Sequence, residues 1–233
     1  MIPGKFKQLA YSPWKNARGS YYMLALLSMG IFIVAPLVGT DAIPGIVAEV
    51  LFILVLVTGV FSLHLSQSAQ AAALLLLTSA ILARSLSYVD NSYQVKVADT
   101  VLTVFTLFML AAFMTKQYLT GSEPLQYRIT GAVAIYLLLG LLFARVFEFL
   151  FLLNPQSFNV NPGDSQFSLL YFSFITLLTV GYGDIVPLSH VARTMAMLEG
   201  IVGQLYIVLL ISSLVSEFSN QAVKSKIDLI NKK

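Results

Sequence analysis

Runs of apolar residues long enough to cross a bilayer dominate this chain: Tyr21–Gly39, Ile46–Leu65, Ala71–Val89, Val97–Thr115, Ile129–Leu152 and Val191–Ser216. A spanning helix takes about 20 mostly apolar residues. Backbone groups in hydrocarbon must find partners inside the protein, so helices are the expected solution for such runs. A further run, Gln166–Leu178, is about 13 residues, or roughly 20 Å of helix, too short to span. The expected fold class is an all-α membrane protein with six transmembrane helices and one half-length, re-entrant helix. Composition agrees: 58% of residues are hydrophobic and 11% charged, whereas soluble domains carry about 25% charged residues.

Other classes fall away on composition. The chain has no cysteine, so disulfides and thiolate metal sites are excluded. His64 and His190 are far apart in sequence and make no metal-ligand spacing. A net charge of +3, with no basic patch interleaved with stacking aromatics, does not argue for nucleic acid. The first apolar run reads as a true span, because it has full length and no closely following small-residue cleavage site.

Lysine and arginine set the expected orientation. Lys5, Lys7, Lys15 and Arg18 precede the first span, Lys116 and Arg128 follow the fourth, and Lys224, Lys226, Lys232 and Lys233 follow the sixth. Opposite loops carry Asp41, Asp90, Asp99 and Asp164 against a single Lys96. Both termini are therefore expected in the cytoplasm, which an even number of spans permits. The polar stretch Lys116–Arg128 is the clearest internal boundary. It divides a cytoplasmic N-terminal segment (1–20) and a four-helix unit (21–120) from a span–half-helix–span unit (121–218) and a short basic tail (219–233).

Between the half-helix and the sixth span lies TLLTVGYGDIVP, Thr176–Pro187. Asn154-Pro155 is expected to end the fifth span, Asn161-Pro162-Gly163 to turn the chain, and Asp164 or Ser165 to cap the half-helix. Non-helical backbone at membrane depth is tolerated where it is buried in protein or lines a water-filled cavity. Alternating glycines allow positive φ values that aim successive carbonyls alike. A ring of carbonyls replaces an ion's hydration shell, and because one chain supplies one strand, a closed ring requires several copies.

TVGYGD at Thr179–Asp184 matches the signature of potassium channels, and YFSFITLLTVGYGDIVP resembles the pore helix and filter of bacterial members. The resemblance covers Ile129–Ser216 and implies a homotetramer, three further copies of the chain around one pore in the lipid bilayer, with K+ as the only bound species and no organic cofactor. It implies carbonyl coordination of K+ by Thr179, Val180, Gly181 and Tyr182, with the Thr179 hydroxyl completing the innermost site and Gly183 shaping the outer mouth. Asp184 would sit behind that mouth, and Tyr171 and Phe172 match aromatics that pack around the filter tyrosine. Gly203 falls at a hinge position of the inner helix, with Gln204, Ile207 and Ile211 facing the cavity. Two positions depart from the family pattern: Leu178 stands where a threonine is common, and Ile175 replaces a glutamate found behind some filters.

Six-span relatives often carry arginines at every third position of span four. Val97–Thr115 has no Lys or Arg, so strong voltage gating is not expected. Glu49 and Arg84 fall in the outer third of neighbouring spans and read as a structural ion pair, and Arg145 and Glu148 are three apart on one helical face. Glu199 has no sequence-local cation except Arg193. Two readings stay open for it, a structural hydrogen bond from Ser173 or Thr176 and a modulatory proton site.

Gly181-Tyr182-Gly183-Asp184 also fits the GxGD motif of intramembrane aspartyl proteases. That chemistry needs two carboxylates close enough to share a proton, and Asp90 and Asp99 lie at the outer ends of their spans. A non-conducting subunit is a third reading, which the intact filter disfavours. The expectation is a non-enzymatic, potassium-selective channel of the plasma membrane (the inner membrane in a bacterium).

Overall fold

A computed structural model describes residues 18–40, 42–63, 67–90, 92–120, 125–160 and 165–231. Lys5, Lys7, Lys15, Asp41, His64, the turn at 161–163 and the cap at Asp164 lie outside the described residues. The described chain is helical: α1 (Arg18–Met29), α2 (Ala35–Gly39), α3 (Gly45–Ser62), α4 (Gln67–Val89), α5 (Tyr93–Thr120), α6 (Leu125–Leu153), α7 (Ser165–Leu177) and α8 (His190–Asn231). Among the described residues, six segments are long and apolar enough to cross a membrane: Ser20–Gly39, Gly45–Ser62, Ala69–Val89, Tyr93–Tyr118, Tyr127–Leu153 and His190–Ser213. The short α7 is the half-length helix expected from sequence.

The first span is one continuous rod with a local defect. Gly30–Val34 is a π-helical turn between α1 and α2, followed by Pro36. Proline has no N–H, and its ring crowds the carbonyl four residues back. The looser π register is a recognised way of absorbing such an interruption.

Helix continues into two polar segments. α5 continues to Thr120 and α6 begins at Leu125, so most of Lys116–Arg128 is helix rather than linker. Lys, Gln, Leu and Arg are good helix formers, which makes polarity here a mark of the membrane boundary rather than of a loop. Likewise α8 runs on to Asn231, through the stretch expected as a short tail.

α5 and α6 pack against each other, α1 also packs along α6, and α4 packs against α5. The four-helix unit therefore rests against the fifth span of its own chain. Met23, Leu27, Val55, Leu107, Met114 and Leu138 are buried at the centre of that contact. A second core lies toward the loop side of α6–α8, where Phe147, Phe158 and Phe172 form a ring cluster. Their centroids are 5.0 to 5.6 Å apart, with edge-to-face angles of 62 to 69°. Such pairs add about 0.5–1.5 kcal/mol each beyond area burial, enough to hold the start of the loop against α7.

Candidate functional site

The site is built from the last turn of α7 and the strand that follows it. A helix ends with four carbonyls that lack an intrahelical partner. Here each is supplied. Leu178 N–H donates to Phe174 O (2.9 Å), Thr179 N–H to Thr176 O (2.9 Å), and Val180 and Gly181 N–H both to Ile175 O (2.8 and 3.2 Å). The Tyr136 hydroxyl of α6 donates to Leu177 O at 3.0 Å. The amides of residues 178–181 are thus turned back into the helix.

Their carbonyls face the other way. Among the described residues, no donor reaches the carbonyl oxygens of 178–183. Thr179, Gly181 and Gly183 have φ of 57, 54 and 80°, so positive φ recurs at every second residue. Ordinary strand geometry points successive carbonyls to opposite sides, and reversing the handedness of alternate residues brings them to one side. Glycine adopts this conformation freely, whereas an L-residue such as Thr179 does so at a cost of about 1–2 kcal/mol. The positive φ at Thr179 is the part that glycine spacing alone did not reveal. The strand is exposed in the isolated chain, with Val180 at 47% and Tyr182 at 73%. Chemically, it offers a row of carbonyl dipoles to a dehydrated cation.

The strand is fixed at its far end by side chains. The Tyr171 hydroxyl donates to Asp184 Oδ2 at 2.8 Å, and this bond raises the Tyr171 phenol above its ordinary value. Asn159 acts as a clamp. Its Nδ2 donates to Asp184 O (3.0 Å), its Oδ1 accepts from Val186 N–H (2.6 Å), and its N–H donates to Val186 O (3.3 Å). Sequence reasoning missed Asn159, and only its position opposite the loop in the fold reveals it. Phe172 lies in the ring cluster with Phe147 and Phe158.

α8 closes the back of the site. Gly203 is buried, and a Cβ there would stand 2.7 Å from Leu177 Cδ1, so its bare backbone admits the end of α7. Gln204 and Ile211 are exposed in the isolated chain and Ile207 is half-buried, along one stripe of α8. Glu199 is fully buried; its Oε1 lies 2.5 Å from Ser173 Oγ, which is also 2.7 Å from Gly140 O. Tyr206 of α8 donates to Ala132 O of α6 at 2.8 Å.

Glu49, Arg84, Asp99, Arg145 and Glu148 gather elsewhere, near the loop-side ends of α3–α6. Arg84 is paired with Glu49 through Nε and Nη2 and with Asp99 through Nη1. Arg145 donates to Glu148 at 2.6 Å. Both pairs named from sequence are present, and Asp99 is the partner that sequence did not supply. Phe52 joins them: the Arg84 and Arg145 guanidinium carbons lie 5.2 and 4.9 Å from its ring centroid. Asp99 is thus bound to Arg84, while Asp184 is bound to Tyr171.

With this geometry in hand, comparison with known proteins shows what the chain is similar to. Residues 132–220 match the family described as Ion channel. Two-pore potassium channel 2 of Arabidopsis thaliana is 30% identical over 97 residues, 42% of this chain and 20% of that protein. Two-pore potassium channel 3 of the same plant is 34% identical over 84 residues, 36% and 18% of the two chains. Probable potassium channel protein 2 of Methanocaldococcus jannaschii is 40% identical over 60 residues, 26% and 17%. All three of these relatives are named as potassium channels. The matched segments span about a fifth of the length of these relatives.

Proposed function

We propose that the chain is the subunit of a homotetrameric, potassium-selective channel that conducts K+ passively across the plasma membrane. One observation carries the reading: the amides of 178–181 are spent on α7, whereas alternating positive φ leaves the carbonyls of 179–183 aligned and without donors. Bare carbonyls at membrane depth are tolerated only where they are buried in protein or line a water-filled cavity, and a pore supplies the latter. Four such strands around one axis would give Thr179, Val180, Gly181 and Tyr182 as K+ ligands, with Gly183 at the mouth and Asp184 and Tyr171 behind it. Ions would dehydrate into these sites and advance by mutual repulsion.

The positive-inside distribution favours cytoplasmic termini. The short α5–α6 connection favours each four-helix unit lying against its own chain's pore helices rather than a neighbour's. α5 has no Lys or Arg between Lys96 and Lys116, which fits weak or absent voltage gating. Reconstitution in a planar bilayer under a K+/Na+ gradient tests the proposal. The reversal potential is expected to follow K+, and equal permeability to both ions would overturn it.

A further inference from the structure

A cavity of about 530 Å³ lies between the four-helix unit and the pore-side helices α6 and α7. Val38, Gly39 and Phe167 stand at one end, and Leu26, Leu27 and Val55 at the other. From Val38 to Leu26 is roughly 18 Å along the first span, so the space is deep and narrow rather than a surface dimple. Its wall is charged at a single level, that of Glu49, Arg84, Arg145 and Glu148, and the walls below this level are apolar.

The charges at that level are unequal in number and in access. Three carboxylates, Glu49, Asp99 and Glu148, stand with two guanidiniums, Arg84 and Arg145, leaving one negative charge in excess. Arg84 and Asp99 both lie within electrostatic range of Glu148, so the five groups form one cluster. The arginine side chains are 9% exposed, whereas Glu49 is 23% and Glu148 29% exposed. Arg84 already engages two carboxylates, and both guanidiniums lie against Phe52. A molecule entering the cavity therefore meets the more exposed carboxylate side chains first, then apolar wall. An anionic head group would face two carboxylates with the arginines already held. A bare inorganic cation would leave the apolar depth unfilled.

We propose that this cavity binds an amphipathic cation: a single-chain ammonium, partitioned from the membrane, with its head between Glu49 and Glu148 and its tail directed toward Leu26 and Val55. The head takes up the uncompensated negative charge, and the tail covers apolar wall.

The test uses the full chain in nanodiscs and measures binding of radiolabelled dodecyltrimethylammonium, with dodecyl sulfate and tetraethylammonium as competitors. Saturable binding at about one molecule per chain is expected, weakened about tenfold by Glu148→Gln and abolished by Ala48→Trp, which puts an indole into the lining beside Glu49. Dodecyl sulfate should not compete. Ala48→Trp leaves the ion pairs intact, so it keeps the test decisive if Glu148→Gln does not fold. No saturable binding, equal competition by dodecyl sulfate, or binding unchanged in Ala48→Trp would overturn the proposal. So would displacement by tetraethylammonium alone, which would place the amine in the pore, or a structure of the assembled protein in which a neighbouring copy fills the cavity. Because the readout is binding rather than current, the outcome is independent of whether the pore conducts.

Discussion

Ser173 Oγ stands 2.5 Å from Glu199 Oε1 and 2.7 Å from the Gly140 carbonyl, and a serine hydroxyl has one proton to donate. The carbonyl only accepts. Both contacts are hydrogen bonds when the Glu199 carboxyl supplies its own proton to Ser173, which then donates to Gly140. Its other oxygen, Oε2, is buried with no partner among the described residues, which also suits a neutral group. The arrangement ties α8, α7 and α6 together directly behind the strand.

Glu199→Gln keeps a donor for Ser173 without a titratable proton, so near-normal assembly and selectivity are expected. Glu199→Ala leaves Ser173 half-satisfied beside a void, at a cost of about 1–3 kcal/mol. Gel filtration after graded heating should show the alanine variant dissociating at lower temperature than wild type or Glu199→Gln. Single-channel recordings across pH then separate a modulatory role from a structural one: a pH dependence of open probability that Glu199→Gln abolishes marks the former.

Gly181 has φ of 54°, and nothing lies within 4 Å of where its Cβ would be. Gly181→Ala therefore meets no clash, only the left-handed backbone cost of about 1–2 kcal/mol per chain. The expected result is a tetramer that still forms but conducts poorly or loses K+/Na+ discrimination. Bilayer recording beside gel filtration distinguishes that outcome from misfolding.

Asn159→Ala removes two side-chain hydrogen bonds to the loop after the strand, worth about 1–2 kcal/mol together at this exposed position. Tyr171→Phe removes the bond to Asp184. Both should hasten loss of conductance during sustained recording while the reversal potential is kept. Because the Tyr171 phenol is raised above its ordinary value of 10.0, its bond is present below that pH and is lost only as pH rises through the raised value. Its contribution should be constant across neutral pH.

Voltage steps should give a shallow conductance–voltage relation. Each charge crossing the field contributes about 2.3 kcal/mol per 100 mV, and steep gating uses about 3–4 charges per subunit. α5 offers no Lys or Arg within Val97–Thr115, and Arg84 is held by Glu49 and Asp99. A measured gating charge of several elementary charges would refute this. Arg84→Ala, by stranding two carboxylates, should cost about 3–5 kcal/mol, readable as a lowered unfolding temperature.

What was legible in the sequence follows from the range of each interaction. Spans show as runs because the bilayer imposes one length on all of them. Glycine alternation at 181 and 183 announces a strand that no helix or sheet explains. The Glu49–Arg84 and Arg145–Glu148 pairs are visible because equal depth and i,i+3 spacing are sequence properties. Asp99 as a third partner, the Asn159 clamp and the Tyr136 cap join residues 15, 25 or more positions apart. Such contacts leave no period to read, and the left-handed Thr179 has a residue type that gives no hint of it.

The closing of α7 by its own following amides has a consequence for biogenesis. The strand's shape is templated by residues a few positions away and by Tyr136 of the same polypeptide. In the proposed tetramer, a newly inserted subunit would bring a segment already shaped by its own chain, and assembly would have to align such parts rather than mould them.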